Sequence, residues 1–149
     1  MVLNKDFREF IALLNANNVA YLIVGGYAVA FHGYPRYTKD LDVWILISEK
    51  NAELVINALH QFGFSGTTFK KTDFLNPEDI IQLGYPPNRI DIVMSCDGVD
   101  FDVCYTNRIQ VIIDGVDMNF IDLENLRKNK RASGRLQDLA DLDNLMEKR

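Results

Sequence analysis

The chain has 149 residues, of which 48% are hydrophobic and 25% charged, and its formal net charge is −5. A chain of this length can bury its own core as one domain, and a net negative charge argues against a protein that coats nucleic acid. No apolar run approaches the roughly 20 residues of a membrane helix, and residues 1–6 turn polar at once. We therefore expect a cytoplasmic protein with neither a membrane contact nor a signal peptide.

Hydrophobic periodicity predicts three helices and two strands in the first half of the chain. The helices repeat apolar residues every three or four positions, whereas the strands are short apolar runs bounded by polar residues or glycine. In chain order, the elements are a helix over residues 4–17, a strand over 21–24, a helix over 27–32, a strand over 41–47 and a helix over 49–62. Asn4 and Ser48 precede the first and last of these helices and are the expected N-caps.

The second half of the chain predicts more strands and two closing helices. In chain order, the strands cover residues 80–84, 89–94, 101–105, 109–113 and 116–121, and the helices cover 123–130 and 135–147. Asp114-Gly115 is typical of a hairpin turn. The last helix is expected to turn its apolar residues inward, namely Leu136, Leu139, Ala140, Leu142 and Met146. Together the elements predict an α+β (mixed α/β) fold with a central sheet.

Two carboxylates flank a leucine at the start of the second predicted strand. Asp40 and Asp42 are two positions apart, so on a strand their side chains point to the same face. Asp91 lies between Ile90 and Ile92 in a later strand and projects opposite these apolar neighbours. Carboxylates that converge from adjacent strands bind hard cations such as Mg²⁺, and two such ions serve phosphoryl transfer. The three aspartates are therefore candidate metal ligands, with Asp91 a candidate general base; a solvated strand edge is the alternative for the first two.

A Gly-Gly pair follows the first predicted strand. Gly25 and Gly26 let the backbone approach a phosphate without interference from a Cβ atom. Residues 127–135 carry five basic and no acidic side chains, and together with Arg36 and Lys39 they could neutralise a polyphosphate. Both features have a structural alternative, namely a plain strand-to-helix turn and a solvated helix end.

These motifs occur in an order that is known from one superfamily. Gly25-Gly26, then Asp40-x-Asp42, then an isolated strand aspartate resemble the minimal nucleotidyltransferases of the DNA-polymerase-β superfamily. The tail over residues 129–142 contains a lysine followed by Arg-x-x-Asp-x-x-Asp-Leu, and is similar to the ending of the AbiEii-like toxin branch and its small bacterial relatives. The resemblance extends over nearly the whole chain.

The resemblance implies a fold and a donor site. The fold is the polymerase-β palm-like nucleotidyltransferase fold, a central mixed sheet with helices packed on it, in a single domain over residues 1–149. Asp40, Asp42 and Asp91 are the implied catalytic residues and the ligands of two Mg²⁺ ions. The implied nucleotide-binding residues are Gly25, Gly26, Arg36, Thr38, Lys130, Arg135 and Asp138.

The activity implied by the resemblance is Mg²⁺-dependent transfer of NMP from an NTP such as ATP to a hydroxyl group. The acceptor could be tRNA or other RNA, a protein, or a small molecule such as an aminoglycoside- or lincosamide-like drug. In the toxin branch the protein would be a toxin–antitoxin component with an antitoxin as partner. The alternative is a nucleotide-binding regulatory or partner protein without turnover, because Tyr27 follows the glycines where the superfamily often has a serine.

Overall fold

The computed structural model describes residues 3–33, 40–65 and 67–146 and folds them into six strands and six α-helices. The strands are β1 (Tyr21–Val24), β2 (Leu41–Ile45), β3 (Ile80–Leu83), β4 (Ile90–Val93), β5 (Ile109–Ile113) and β6 (Val116–Phe120). The helices are α1 (Lys5–Ala16), α2 (Gly25–Phe31), α3 (Glu49–Phe62), α4 (Phe101–Thr106), α5 (Leu123–Ser133) and α6 (Leu136–Met146), and Lys71–Phe74 form a 3₁₀ turn. Within the described ranges, no helix is both long and apolar enough to span a membrane.

All six strands belong to one mixed sheet, in the order β3-β4-β2-β1-β6-β5. The strand β2 runs antiparallel to β1 and parallel to β4, while β6 runs parallel to β1. The sheet therefore has one edge at which β1 ends and both β2 and β4 begin. The predicted α+β fold with a central mixed sheet is confirmed.

The core lies on both faces of this sheet. Along β2, side chains alternate between the faces, so Asp42 and Trp44 share one face and Val43 lies on the other. Trp44 meets the ring of Phe101 edge-on, with the ring centroids 5.1 Å apart, so α4 packs on the face that carries Asp42. On α3, the buried Asn51 accepts a hydrogen bond from the backbone N–H of Ala20 and donates one to the carbonyl of Leu46, which ties this helix to the sheet.

Capping and turn residues in the sequence predicted most helix boundaries correctly. The Asn4 side chain accepts a hydrogen bond from the backbone N–H of Phe7 at 2.8 Å, and the Ser48 hydroxyl accepts one from Asn51 at 3.0 Å, so both predicted N-caps are confirmed. Asp114 and Gly115 adopt positive φ angles of 52° and 78°, as a tight hairpin turn between β5 and β6 requires.

The predicted strand over residues 101–105 is wrong, because these residues form α4. The Asp100 carboxylate accepts a hydrogen bond from the backbone N–H of Val103 and caps a helical turn. Phe101 and Cys104 are three positions apart and both are buried, which is the spacing of a helix face. The apolar residues Phe101, Val103 and Tyr105 also alternate, so over six residues the helix resembles a short strand in sequence.

Candidate active site

Three carboxylates come together where β2 and β4 begin. The two strands are parallel and in register, with Asp42 directly beside Asp91, and Asp40 precedes Asp42 by two residues. The side chain of Asp91 is 12% exposed and that of Asp40 is 26% exposed. The sequence-predicted trio is therefore adjacent and partly shielded from water at one edge of the sheet.

Burial and the crowding of negative charge raise the pKa of Asp42. Burial of this carboxyl, and then the charges of Asp91 and Asp40, raise its pKa from 3.8 to about 7, while Lys130 and Arg89 act in the opposite direction. A carboxylate with a raised pKa and two acidic neighbours gains much when a cation joins it. Such groups cluster at functional sites more often than elsewhere.

Arg89 is a member of the site that the sequence analysis missed. Its Nε donates a hydrogen bond to Asp91 Oδ1 at 2.7 Å and its Nη2 donates one to Asp91 Oδ2 at 3.1 Å. The same Nη2 lies 3.2 Å from Asp40 Oδ2, so one guanidinium bridges two of the three carboxylates. The sequence does contain a signal for this contact. Arg89 directly precedes β4 and is two positions from Asp91, so on an extended chain both side chains point to the same face.

The junction of β1 and α2, where Gly25 is the first residue of the helix, lies directly against Asp42. Val24, the last residue of β1, pairs with Asp42 in the sheet, and Gly25 follows with a φ of +69°. A Cβ atom on Gly25 would lie 2.1 Å from Asp42 Oδ2 and 3.0 Å from its Cβ, so the backbone fits here only without a side chain. Gly26 is buried in the first turn of α2. Of the two predicted glycines, Gly25 thus borders the carboxylates.

The basic tail acts on the same site electrostatically, through Lys130. Its ammonium lies 3.3 Å from Asp138 Oδ1 and 3.2 Å from Asp141 Oδ2, and all three residues are buried. Arg135 donates a hydrogen bond to Asp138 Oδ2 at 2.7 Å, but its own side chain is 80% exposed. Burial alone would raise the pKa of Asp138, yet the hydrogen bond from Arg135 and the charge of Lys130 lower it below 3.8. The charge of Lys130 also acts on Asp42.

The orientation of α6 differs from the expected one. Leu136 is 88% exposed, Leu139 45% and Met146 48%, whereas Asp138 and Asp141 are buried. The helix turns its carboxylates inward because Lys130 on α5 neutralises them there. Apolar periodicity alone therefore gave the wrong face, since a buried ion pair outweighed it.

The donor set at the three carboxylates fits a hard divalent cation. Asp40 Oδ1 is buried, and within the described ranges it has no hydrogen-bond partner, which leaves an oxygen that a cation would satisfy. In the part of the chain that the structure describes, no three His, Cys, Asp or Glu side chains already have the geometry of a metal site. Arg89 lies between two of the carboxylates, so the assignment of Asp40, Asp42 and Asp91 as Mg²⁺ ligands stays a prediction.

Two predicted nucleotide-binding residues, Arg36 and Thr38, lie outside the described residues, as does Lys39. A separate open groove of about 790 Å³ lies beside β5 and β6, lined by polar side chains that include Asn15, Tyr105 and Asn119. None of the residues that line this groove belongs to the carboxylate cluster. The candidate site is therefore defined by its charged groups rather than by the size of a cavity.

No protein-family model matches the chain, and no curated protein matches it. Several solved structures do match the chain. A protein from Thermotoga maritima assigned to the nucleotidyltransferases superposes with a TM-score of 0.63 at 16% identity, covering 96% of this chain and 91% of that one. The chain has the nucleotidyltransferase fold. The lincosamide antibiotic adenylyltransferase LnuA, solved with lincomycin bound, gives a TM-score of 0.60 at 17% identity and covers 98% of both chains.

A third structure agrees with this fold. It is an antigenic nucleotidyltransferase-like protein from Paracoccidioides brasiliensis, with a TM-score of 0.52 at 16% identity, covering 97% of this chain and 77% of that one. The nucleotidyltransferase resemblance seen in the sequence is thus confirmed at the level of fold. The AbiEii-like branch within it stays a prediction.

Proposed function

We propose that the protein is a Mg²⁺-dependent nucleotidyltransferase that moves NMP from an NTP to a hydroxyl group. The observation that carries this proposal is the cluster of Asp40, Asp42 and Asp91 across β2 and β4, directly against Gly25, in a chain with the nucleotidyltransferase fold. In the reaction, the acceptor oxygen loses its proton and bonds to the α-phosphorus, and the bond from that phosphorus to pyrophosphate breaks.

The carboxylates serve as metal ligands in this proposal, and Asp91 has a second role toward the acceptor. Bound Mg²⁺ would neutralise the phosphates and lower the pKa of the attacking hydroxyl. Asp40, Asp42 and Asp91 would hold the cation, and Asp42, whose pKa burial and its acidic neighbours raise to about 7, would bind it as the anion. Asp91 lies beside Asp42 on the next strand and takes the acceptor proton or orients the hydroxyl.

The tail supplies support and one exposed cation. Lys130 is buried between Asp138 and Asp141, so we assign it to holding α6 against α5 rather than to direct phosphate contact. Arg135 is 80% exposed, and its pKa is raised first by its hydrogen bond to Asp138 and by the charge of that carboxylate, and least by the charge of Asp42. We therefore assign Arg135 as the tail residue that reaches the phosphates, with Asp138 as the group that orients it.

Two classes of acceptor remain in the proposal. A small hydroxylated molecule is supported by LnuA, a lincosamide adenylyltransferase whose chain this one covers almost completely. RNA or a protein, with an antitoxin as partner, is supported by the tail motif that resembles the toxin branch. A nucleotide-binding protein without turnover is the second candidate function, and the contact of Arg89 with Asp40 and Asp91 favours it.

The proposal is tested by nucleotide binding and by label transfer. Calorimetry with each NTP should show binding that requires Mg²⁺ and that Asp42→Asn abolishes. Asp91→Asn should bind NTP nearly as the wild type does but transfer no label from α-³²P-NTP to cellular RNA, lysate protein or small hydroxylated compounds. The matched control is Asp114→Asn, which removes the same charge from an exposed hairpin turn.

Different outcomes separate the candidate functions. Transfer of label that is lost in Asp42→Asn and Asp91→Asn but kept in Asp114→Asn supports the enzyme. Mg²⁺-dependent NTP binding without label in any fraction supports the nucleotide-binding protein without turnover. NTP affinity that is the same in wild type and Asp42→Asn contradicts both.

A further inference from the structure

Arg89 is held at the carboxylates by the backbone as well as by its side chain. Its carbonyl accepts a hydrogen bond from the backbone N–H of Leu41 at 3.0 Å, at the point where β2 and β4 begin side by side. This bond fixes the Arg89 backbone next to the segment that carries Asp40. From there the side chain contacts Asp40 and Asp91, which lie on neighbouring chain segments of the same sheet edge.

The guanidinium uses the oxygen atoms that a metal ion would need. It contacts both oxygens of Asp91 and Oδ2 of Asp40, so only Oδ1 of Asp40 is left with no partner among the described residues. A carboxylate oxygen that accepts a short charge-assisted hydrogen bond is a poorer metal ligand, because the bond must be broken first. A divalent ion that bound Asp40 and Asp91 together would also lie within a few ångströms of a fixed positive charge.

We propose that Arg89 is an internal counter-ion that holds Asp40 and Asp91 together and that a divalent cation must displace to bind them both. Metal binding is then an exchange of one cation for another, and the guanidinium moves away from the carboxylates when the exchange occurs. Arg89 is a positioning residue in this scheme. The inference rests on the proposed function only for the identity of the competing cation.

The expected effect follows from Coulomb's law. The guanidinium lies 2.7 Å from Asp91 and 3.2 Å from Asp40, and even at the dielectric constant of water the loss of both contacts is worth roughly a factor of ten or more in affinity. Removal of the positive charge should therefore tighten metal binding by at least about tenfold. A residue that merely supported the fold would weaken metal binding when lost, or leave it unchanged.

The test measures Mn²⁺ binding to the full chain without nucleotide, by the loss of the free Mn²⁺ signal in electron paramagnetic resonance. Mn²⁺ takes the same oxygen ligands as Mg²⁺ and is visible to this method. The variants are Arg89→Gln, which removes the charge, and Arg89→Lys, which keeps the charge but cannot bridge both carboxylates with one planar group. The control is Lys71→Gln, which removes the same charge from surface pairs with Glu49 and Glu53.

The inference predicts that Arg89→Gln binds Mn²⁺ at least about tenfold more tightly than the wild type, that Arg89→Lys lies between them, and that Lys71→Gln matches the wild type. If Arg89→Gln does not fold, Arg89→Lys alone decides, and affinity no higher than wild type overturns the inference. If Arg89→Gln binds Mn²⁺ with the same affinity as the wild type, the inference is overturned. The proposed function is unaffected by that result if the wild-type protein transfers label. If no variant binds Mn²⁺ and no label is transferred, both the inference and the proposed function are wrong.

Discussion

The contact between Gly25 and Asp42 can be tested with a matched pair of glycine substitutions. Gly25 has a φ of +69° and Gly115, in the β5–β6 hairpin, has a φ of +78°. A Cβ atom on Gly115 would meet nothing within 4 Å, whereas one on Gly25 would lie 2.1 Å from Asp42 Oδ2. Alanine therefore imposes nearly the same backbone strain at both positions and a steric clash at only one of them.

The two costs can be separated in magnitude. The left-handed conformation costs a residue with a Cβ about 1–2 kcal/mol, so Gly115→Ala should lower the melting temperature by roughly 2–8 °C for a chain of this size. Rotation of the Asp42 side chain can move Oδ2 and Cγ away from the new methyl group, but it cannot move Cβ, which would lie 3.0 Å away. Gly25→Ala should therefore cost a further ~1–3 kcal/mol, as overpacked sites do.

The assay combines thermal unfolding with Mn²⁺ binding for both variants. Gly25→Ala should be the less stable of the two and should bind Mn²⁺ at least about tenfold more weakly than the wild type, because Asp42 has moved; Gly115→Ala should bind it normally. If the two variants had equal stability and equal Mn²⁺ affinity, the junction of β1 and α2 would not lie against Asp42, and the reasoning would be refuted.

Two further predictions concern the acidic groups. The pKa of Asp42 is higher in the folded protein than in the unfolded chain, so the folded state holds a proton that the unfolded state has lost between about pH 4 and pH 7, and stability falls across this range as pH rises. The measurement is denaturant unfolding in the presence of EDTA. Asp42→Asn should lack up to about 4 kcal/mol of this fall in stability and should be more stable than the wild type at pH 8. An Asp42→Asn variant that is less stable than the wild type at pH 8 would contradict the prediction. Lys130→Met should destabilise the fold by about 3–5 kcal/mol in urea unfolding, because it removes the buried cation that lies between Asp138 and Asp141 and leaves only the exposed Arg135 on Asp138. Arg135→Gln is the comparison and should cost less than about 1 kcal/mol, since the arginine is exposed; equal losses in the two variants would show that Lys130 is not a buried support.

Local sequence signals predicted most of the framework. The helix over residues 49–62 was predicted with the same limits as α3, because Ser48 and Gly63 mark its two ends by side-chain capping and by a φ that suits glycine. The apolar runs likewise predicted the strands β1 and β4. The strand order could not be read from such signals, since it depends on which apolar faces meet after the chain has folded.

The candidate site was predictable where residues act through the strand that carries them. Asp42 and Asp91 lie side by side because both belong to strands, and strand geometry determines where their side chains point. Arg89 was missed because its importance arises from a partner, Asp40, that is distant in sequence. The inward face of α6 was missed for a different reason: apolar periodicity does not register that Lys130, on the neighbouring helix, makes burial of its carboxylates favourable.

The two acidic clusters of this protein differ in a way that separates support from function. In the cluster around Lys130, hydrogen bonds and positive charge lower the pKa of Asp138, so that carboxylate stabilises the fold as an anion. In the cluster at β2 and β4, burial and like charges raise the pKa of Asp42, so its anion destabilises the fold at neutral pH. A fold gains nothing by holding carboxylates in the second arrangement unless a cation joins them, because substitution would relieve the repulsion. This difference supports the cluster at β2 and β4, rather than the basic tail, as the place where chemistry occurs.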